Sequence, residues 1–467
     1  MTLNQQIDQK SVADQTRFHH ERFIKPAHTR PESGRPTVLA LPPADTAPAN
    51  LIVERRVSES LLICDLTQSW SPTGGGGIST YLKEKRRYIQ DRTAHRLIQI
   101  VPGPHDRITV EGRTILAEVG SGQVWGSPNY RWISRNDAVF ALLREYQPDI
   151  VESLCPWVLP WIAIRHRRRF PDTALVAGYR TDFPNAHVYR VVNDLAGHYP
   201  ASFFRGIAYA YAALTYNRFD RVYTLGRDAE RMLHRLGQTN TGQLGLGVDL
   251  TQFSPEHRDP GFRTALGLPE TDGPLLIYAG RIDNEKRTDM LVRMFKALPP
   301  ELGAVMVLLG DGKLRQQLQE EARGLPIAFP GFETDRLALA RALASSDIYV
   351  SGMANETFGI SVLEAQASGL PVVGVASGAM IDRVPEGTGR LGPVDDAAAM
   401  AANVVDLWRG DYADARRRSL ALANANNRWE QTFEQLIKVE YAAALAARDA
   451  RRAKGWGIPA RRALDIT

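Results

Sequence analysis

The chain has 467 residues, of which 44% are hydrophobic and 23% charged, and carries a net charge of +5. That length exceeds one ordinary core and predicts two domains of globular composition. The mild basicity suits anionic ligands or an anionic membrane surface and gives no nucleic-acid signature. Two cysteines, Cys64 and Cys155, provide neither a disulfide framework nor metal-ligand spacing, and their apolar surroundings predict buried thiols in a reducing compartment. The longest apolar run, "LCPWVLPWIAI" (154–164), is too short and too proline-broken to span a bilayer. With no secretory pattern at the start, a cytoplasmic protein is expected, any membrane association being peripheral at the inner face.

Residues 1–55 are polar, proline-dotted and without sustained period, which predicts a poorly ordered tail. A short helix is predicted at "RFHHERF" (17–23), where adjacent His19 and His20 would point about 100° apart and so read as solvated, not metal-binding. From residue 61, β-like and helix-like runs alternate. "LLICDL" (61–66) is followed by "SPTGGGGISTYLKEKRRY" (71–88), with Gly74, Gly75, Gly76 and Gly77 in succession. Glycines are entropically costly to order. Either a phosphate-bearing ligand needs the bare backbone, or the stretch is a plain flexible turn.

Strands are predicted next at "RLIQIVPG", "DIVESL", "ALVAGY" and "RVYTLG", and "RITVEGRTILAEV" predicts a hairpin about Glu111 and Gly112. After "ALVAG", the string "YRTDFPNAHVYR" sets Arg180, Asp182 and His187 at a strand's carboxyl end, with Pro184 shaping the turn. A lone histidine such as His187 is more often structural or exposed than catalytic. The basic strings "KEKRRY" (83–88) and "RHRRRF" (165–170) are either solvated helix faces or a surface for anionic lipid headgroups.

A Pro/Gly-rich break at 255–274 precedes a second alternation, with strands at "PLLIYAG", "AVMVLLG", "IAFPGF", "DIYVSG" and "LPVVGVA". Two such alternations predict an α/β chain of two Rossmann-like domains, 56–260 and 261–430, with parallel sheets flanked by helices. The helical end is longer than the second sheet needs, and residues 431–467 are expected to cross back onto the first domain before a tail.

In open parallel sheets, ligands bind beyond the carboxyl ends of strands, where helix N-termini present amides to anions. Arg281 and Lys286 follow "LLIYAG" and could converge on one anion, the arginine as a planar fork and the lysine as a point charge. Two solvated loop cations would look the same. In "ANETFGISVLEAQASG" a helix is expected from about Thr357 or Phe358 to Gly369. Thr357, Phe358, Gly359 and Ile360 would offer amides at its start, with Glu356 just before it and Glu364 two turns along. Carboxylates accept from hydroxyls, which suits a sugar nucleotide. Alternatively Glu356 only favours the helix dipole and Glu364 is exposed, but so apolar a helix makes a site-lining Glu364 the better reading. "GDG" at 310–312 reads as a tight strand-to-helix turn or a ligand contact. No Walker-type phosphate loop, dinucleotide glycine fingerprint or HExxH metal motif is present, so no bound metal is expected.

These strings together resemble the family 4 glycosyltransferases of GT-B fold: "ETFGISVLE" followed by "AQASGLPVVG", "GRIDNEK", "GLGVDLTQFSP" and the glycine loop before a helix, in order over roughly 61–436. "YRTDFP" and the glycine loop look closest to bacterial mannosyltransferases. The resemblance implies two Rossmann-like domains facing each other across a cleft. It implies a retaining, metal-independent hexose transfer from a GDP- or UDP-sugar, a co-substrate and no cofactor, to a glycan or lipid-linked acceptor, with possible contact to anionic membrane. Arg281 and Lys286 would bind diphosphate, Glu356 the donor sugar and Glu364 the ribose. Asn355, Thr357, Phe358, Gly359, Ile360 and the glycine loop would surround the donor. Arg180, Asp182 and His187 would line the acceptor side. The family often has histidine where this chain has Arg180. Arg180 then contacts phosphate or an acidic acceptor, or activity is altered, the alternative being a nucleotide-sugar-binding protein on the same fold. An NAD-type oxidoreductase is disfavoured by the glycine spacing.

Overall fold

The computed structural model describes residues 37–39, 60–71, 76–124, 127–354, 356–426 and 428–454. Gly74, Gly75, Asn355, the 17–23 segment and nearly all of the expected tail lie outside the described residues.

The first half is built on β1 (Thr37–Leu39), β2 (Leu62–Leu66), β3 (Arg96–Gly103), β4 (Arg107–Glu111) and β5 (Thr114–Gly120). The small hairpin β6 (Gly122–Val124) and β7 (Ser127–Trp132) follows, then β8 (Ile150–Ser153), β9 (Ala174–Tyr179), β10 (Arg221–Thr224) and β11 (Thr241–Gln243). Nine of these strands form one sheet in the order β1-β4-β5-β3-β2-β8-β9-β10-β11. The predicted hairpin is the antiparallel β4–β5 pair, turning at Gly112 and Arg113, and the pairs from β5 to β11 run parallel. Every residue of β2 is buried, as expected of a parallel strand covered on both faces, which makes Asp65 near its carboxyl end conspicuous.

The second half carries β12 (Leu275–Ala279), β13 (Val305–Leu309), β14 (Ile327–Gly331), β15 (Ile348–Val350), β16 (Val372–Val375) and β17 (Gly389–Gly392). They form an all-parallel sheet in the order β14-β13-β12-β15-β16-β17. Helices separate the strands, including Thr288–Lys296, Arg336–Ala344 and Ile360–Ala367. Asp335 caps the second of these, its Oδ1 accepting from Leu337 N at 2.9 Å.

One apolar cluster is continuous between the halves. It joins Tyr81 and Ile89 of the Gly77–Arg92 helix to Phe358 and Val362, and to Trp429, Phe433 and Tyr441 from the end of the chain. Phe433 sits 5.4 Å from the rings of both Tyr81 and Tyr88. Glu440 pairs with Arg221 at 2.7 Å, and Arg451 with Asp220 at 3.1 Å. The segment from Trp429 to Ala453 therefore packs on the first half. Cys64 and Cys155 are buried and burial pushes both thiols up, Cys155 to about 11.

Candidate active site

β12 ends at Ala279 and releases the chain into a loop bearing Arg281 and Lys286. That loop is held from behind by backbone. A Cβ on Gly310 would collide with the Gly280 carbonyl, and one on Gly312 with that of Ile282. Ile282 N donates to Asp311 O at 2.9 Å, and Tyr278 Oη donates to Arg281 O at 2.8 Å. The "GDG" turn thus serves as a backbone platform for the cationic loop. Arg281 pairs with Asp283 and, at 3.0 Å, with Glu285. Lys286 Nζ lies 3.2 Å from Glu356 Oε2 and 3.0 Å from Met353 Sδ. The structure so brings Lys286 and Glu356 together from strands β12 and β15, with Arg281 beside them through Glu285. Burial alone would raise the Glu285 carboxyl, yet Arg281, Arg190 and Lys286 hold it below its ordinary value.

The helix after β15 starts at Ile360, two or three residues later than its sequence pattern predicts. Gly359 has a φ of 81°, a left-handed conformation open to glycine, and Glu356 Oε1 accepts from Thr357 N at 3.2 Å and Gly359 N at 3.1 Å. This tight turn replaces the expected first helical turn. A neighbouring loop secures it, Ala379 N donating to Glu356 O at 2.8 Å. Arg383 lies 3.7 Å over the Phe358 ring and donates to Phe358 O at 2.9 Å. Burial lowers the Arg383 guanidinium to about 10. Glu364 is buried and bonded to Arg336 at 2.7 Å. Burial raises its carboxyl and Arg336 opposes the shift.

From the first half, Gly76 and Gly77 open the 77–92 helix directly opposite. A Cβ on Gly77 would lie 3.1 Å from Ile360 Cδ1, so the end of the glycine run faces the start of the 360–367 helix. Arg180 follows β9, is 6% exposed and places its guanidinium 4.1 Å over the Tyr81 ring. Its Nη1 is buried with no hydrogen-bond partner among the described residues. Asp182 is occupied locally, accepting from Tyr179 Oη at 3.1 Å, Asn185 Nδ2 at 2.5 Å and Tyr209 Oη at 3.1 Å. His187 lies beside Trp157. Burial lowers its imidazole, with Glu285 raising it and Arg190 and Arg281 lowering it further. Three residues after His187, Arg190 reaches Glu285 at 3.5 Å, and Glu285 in turn pairs with Arg281.

Between the Gly77–Arg92 helix and strands β2 and β8 lies a buried polar cluster. Lys85 Nζ donates to Asp65, to Glu152 Oε2 at 2.7 Å and to Tyr441 Oη at 2.6 Å. Tyr81 and Tyr223 donate to Glu152 Oε1 at 2.9 and 2.5 Å. The "KEKRRY" run is thus no uniform solvated or lipid-facing surface. Lys85 is buried, Arg86 bonds Gln99 at 2.6 Å, and Arg87 pairs with Glu84 and Asp249. Lys85 shares the inward face with Tyr81 and Ile89 at steps of four, a spacing that marks it in the sequence.

Arg383, Arg336, Arg190 and Glu285 were not singled out by the sequence. Glu285 sits inside the quoted "GRIDNEK" and Arg190 ends the quoted "YRTDFPNAHVYR", whereas nothing in the surroundings of Arg336 and Arg383 distinguishes them. A cavity of about 300 Å³ lies between the halves, lined by Gly226, Arg227 and Gly245 on one side and Ala379, Asp382 and Arg383 on the other. Among the described residues, no group of three or more His, Cys, Asp or Glu converges as metal ligands.

The arrangement of two α/β sheets is shared with known proteins. The chain is 20% identical to sucrose-phosphate synthase from Thermosynechococcus elongatus, with a TM-score of 0.67 over 83% of this chain and all of that one. Anabaena Alr3699/HepE, solved with UDP and glucose, aligns with a TM-score of 0.61 and 16% identity over 81% of this chain and 98% of that one. Both establish the GT-B fold. Residues 273–410 match the glycosyl transferases group 1 profile. In sequence, the chain is 32% identical to a GDP-mannose-dependent alpha-mannosyltransferase of Mycolicibacterium smegmatis over 68% of this chain and 79% of that one. It is 30% identical to the GDP-mannose-dependent alpha-(1-6)-phosphatidylinositol dimannoside mannosyltransferase of Mycobacterium tuberculosis, over 76% of this chain and 90% of that one. The chain accordingly belongs to the group 1 glycosyl transferases and is a glycosyltransferase of GT-B fold.

Proposed function

We propose that the protein transfers mannose from GDP-mannose to a lipid-linked acceptor at the inner membrane face, with retention of anomeric configuration and without a metal. The observation that carries this reading is the Lys286–Glu356 pair at 3.2 Å, set beside Arg281 at the start of the 360–367 helix. Breaking the sugar–phosphate bond builds negative charge on the departing diphosphate. Arg281, Lys286 and the first-turn amides from Ile360 onward would stabilise that charge, the work a metal would otherwise do. Glu356 would exchange its amide and lysine contacts for donor hydroxyls, and Glu364 would hold the ribose. Thr357, Phe358 and Gly359 would frame the phosphates, with Gly76 and Gly77 opposite; Asn355, Gly74 and Gly75 are assigned to the donor by the family resemblance alone. The choice of mannose and of a glycolipid acceptor is supported by the activities named for the mycobacterial relatives.

Arg180 would take an anionic group of the acceptor or the donor phosphate. A buried guanidinium with an unpaired Nη1 is costly unless an anion completes it. His187, seven residues on, would approach from the same side, while Asp182 would orient that segment through Tyr179, Asn185 and Tyr209.

The test is a thermal-shift panel of GDP-, UDP- and ADP-sugars with EDTA present, followed by donor hydrolysis and the anomeric configuration of the product by NMR. GDP-mannose should stabilise the protein most and release mannose slowly into water. No stabilisation by any sugar nucleotide, or an inverted product, overturns the corresponding part of the reading.

A further inference from the structure

Helix His198–Tyr216 wears its apolar residues the wrong way round for a core-facing helix. Its inward face is mostly small, with Ala201, Ala208, Ala212 and Thr215 buried and Tyr216 the one bulky buried side chain at its end. Its bulky residues Tyr199, Phe203, Ile207 and Leu214 point outward, at steps of four, four and seven that draw one stripe along the helix. Tyr199 is 87% exposed, Phe203 67% and Ile207 50%. Phe204 lies beside Phe203, and the preceding helix Arg190–Ala196 adds exposed Val191 and Leu195. Single exposed apolar residues are ordinary, but a contiguous row marks an interaction surface.

Charge identifies the occupant. Residues 198–216 hold no aspartate or glutamate, and 190–218 carry Arg190, Arg205 and Arg218 against Asp194 alone. The adjoining helix Leu159–Arg169 touches this one through Trp161 Nε1 donating to Tyr211 Oη at 3.1 Å, with Arg218 5.4 Å over the Trp161 ring. On it Arg165, Arg168 and Arg169 are exposed. Aromatic and aliphatic side chains rimmed by arginine suit the headgroup boundary of an anionic bilayer. No described helix is long and apolar enough to cross a membrane, so the helix would lie on the surface.

We infer that residues 190–214 are the face by which this enzyme docks on an anionic membrane, with Arg165, Arg168 and Arg169 as its basic rim. The inference rests on the proposed lipid-linked acceptor and gives it a geometry. Tyr209 Oη bonds Asp182 and accepts from Asn185 at 2.7 Å, which ties the docking helix to the Arg180–His187 segment. Arg190, at the first turn of the face, reaches Glu285 beside Arg281. A headgroup at this surface is therefore next to the cleft.

The test is co-sedimentation of the full chain with phosphatidylcholine vesicles, with and without phosphatidylglycerol. The wild type should bind the anionic vesicles and lose binding in high salt. The triple variant Tyr199→Ser, Phe203→Ser, Ile207→Ser should keep its melting temperature and bind about tenfold less. Arg165→Glu with Arg168→Glu and Arg169→Glu should lose the preference for anionic lipid. Equal binding by the apolar variant overturns the inference. So does a wild type that ignores vesicles and instead self-associates through this face, by light scattering. Slow GDP-mannose hydrolysis needs no membrane and separates the two readings. Turnover without vesicle binding sinks only the docking face, whereas vesicle binding without turnover sinks the proposed reaction.

Discussion

Both halves of the molecule place charges near the carboxyl ends of parallel strands, but they use them in opposite ways. In the first half, Lys85, Asp65 and Glu152 lie in the core, bonded to one another and to three tyrosines, one of them Tyr441 from the far end of the chain. In the second half, Arg281, Lys286 and Glu356 stand at the cleft edge, partly exposed, each with partners that a ligand can replace. Charges withdrawn from water must be satisfied by the fold itself, so they bind the fold together. Charges left at an edge keep exchangeable partners, and that is what a binding site requires.

The sharpest way to break this contrast is Lys85→Met. It leaves Asp65 and Glu152 facing each other without a cation, and should cost about 3–5 kcal/mol of stability in urea denaturation. Burial pushes Asp65 up to about 6 even with Lys85 present, while Glu152, despite its burial, is held low by Lys85 and the tyrosine hydroxyls. Without the lysine the two buried carboxylates repel each other, so adding Glu152→Gln should recover part of the loss. A stability change below about 1 kcal/mol would show that the cluster is not structural.

Lys286→Ala is the counterpart at the edge. Turnover should fall by a hundred- to a thousand-fold, about 3–4 kcal/mol of transition-state stabilisation, with an unchanged unfolding midpoint. Near-normal turnover would refute the assigned role.

His166 extends the contrast to pH. It is stacked on Phe170 in the first half, and burial lowers its imidazole to about 4. Unfolded, it protonates near 6.5, so its stabilising contribution is complete above that pH and is lost as pH falls toward 4. Relative to His166→Phe, the wild type should lose about 2 kcal/mol between pH 8 and pH 5. Parallel stability curves for the two proteins would contradict the buried neutral imidazole.

Glu364→Gln has the smallest expected effect and tests the boundary between the two kinds of site. Glu364 is buried, but its partner Arg336 is 40% exposed. The substitution should change stability by about 1 kcal/mol or less and raise the donor KM about tenfold, since a hydrogen bond to a charged group is worth about 1.5–3 kcal/mol. A large stability loss with unchanged KM would move Glu364 to the structural class.

The α/β alternation, the β4–β5 hairpin and the strings around Arg281, Lys286, Glu356 and Glu364 were legible because they are local. Buried parallel strands read as apolar runs, and charged groups follow them at the turns. Less legible were groups whose meaning depends on distant chain. The steps of four from Tyr81 to Lys85 to Ile89 turn Lys85 inward, but its partners Asp65, Glu152 and Tyr441 come from distant chain. Asp182 looks like a site carboxylate until Tyr179, Asn185 and Tyr209 take up its oxygens. Arg383 acquires a role only when its loop meets Phe358.

The sequence by itself determined the architecture, the order of its parts and the cationic and acidic pairs at the second sheet's edge, since hydrophobic period and strand-end placement are properties of short stretches. Tertiary structure decided which charges are buried and which are exchangeable. It set Gly77 against Ile360 and left the bulky side of the 198–216 helix facing outward. Burial and partnership arise from segments hundreds of residues apart, as between Lys85 and Tyr441, and no short stretch contains that information.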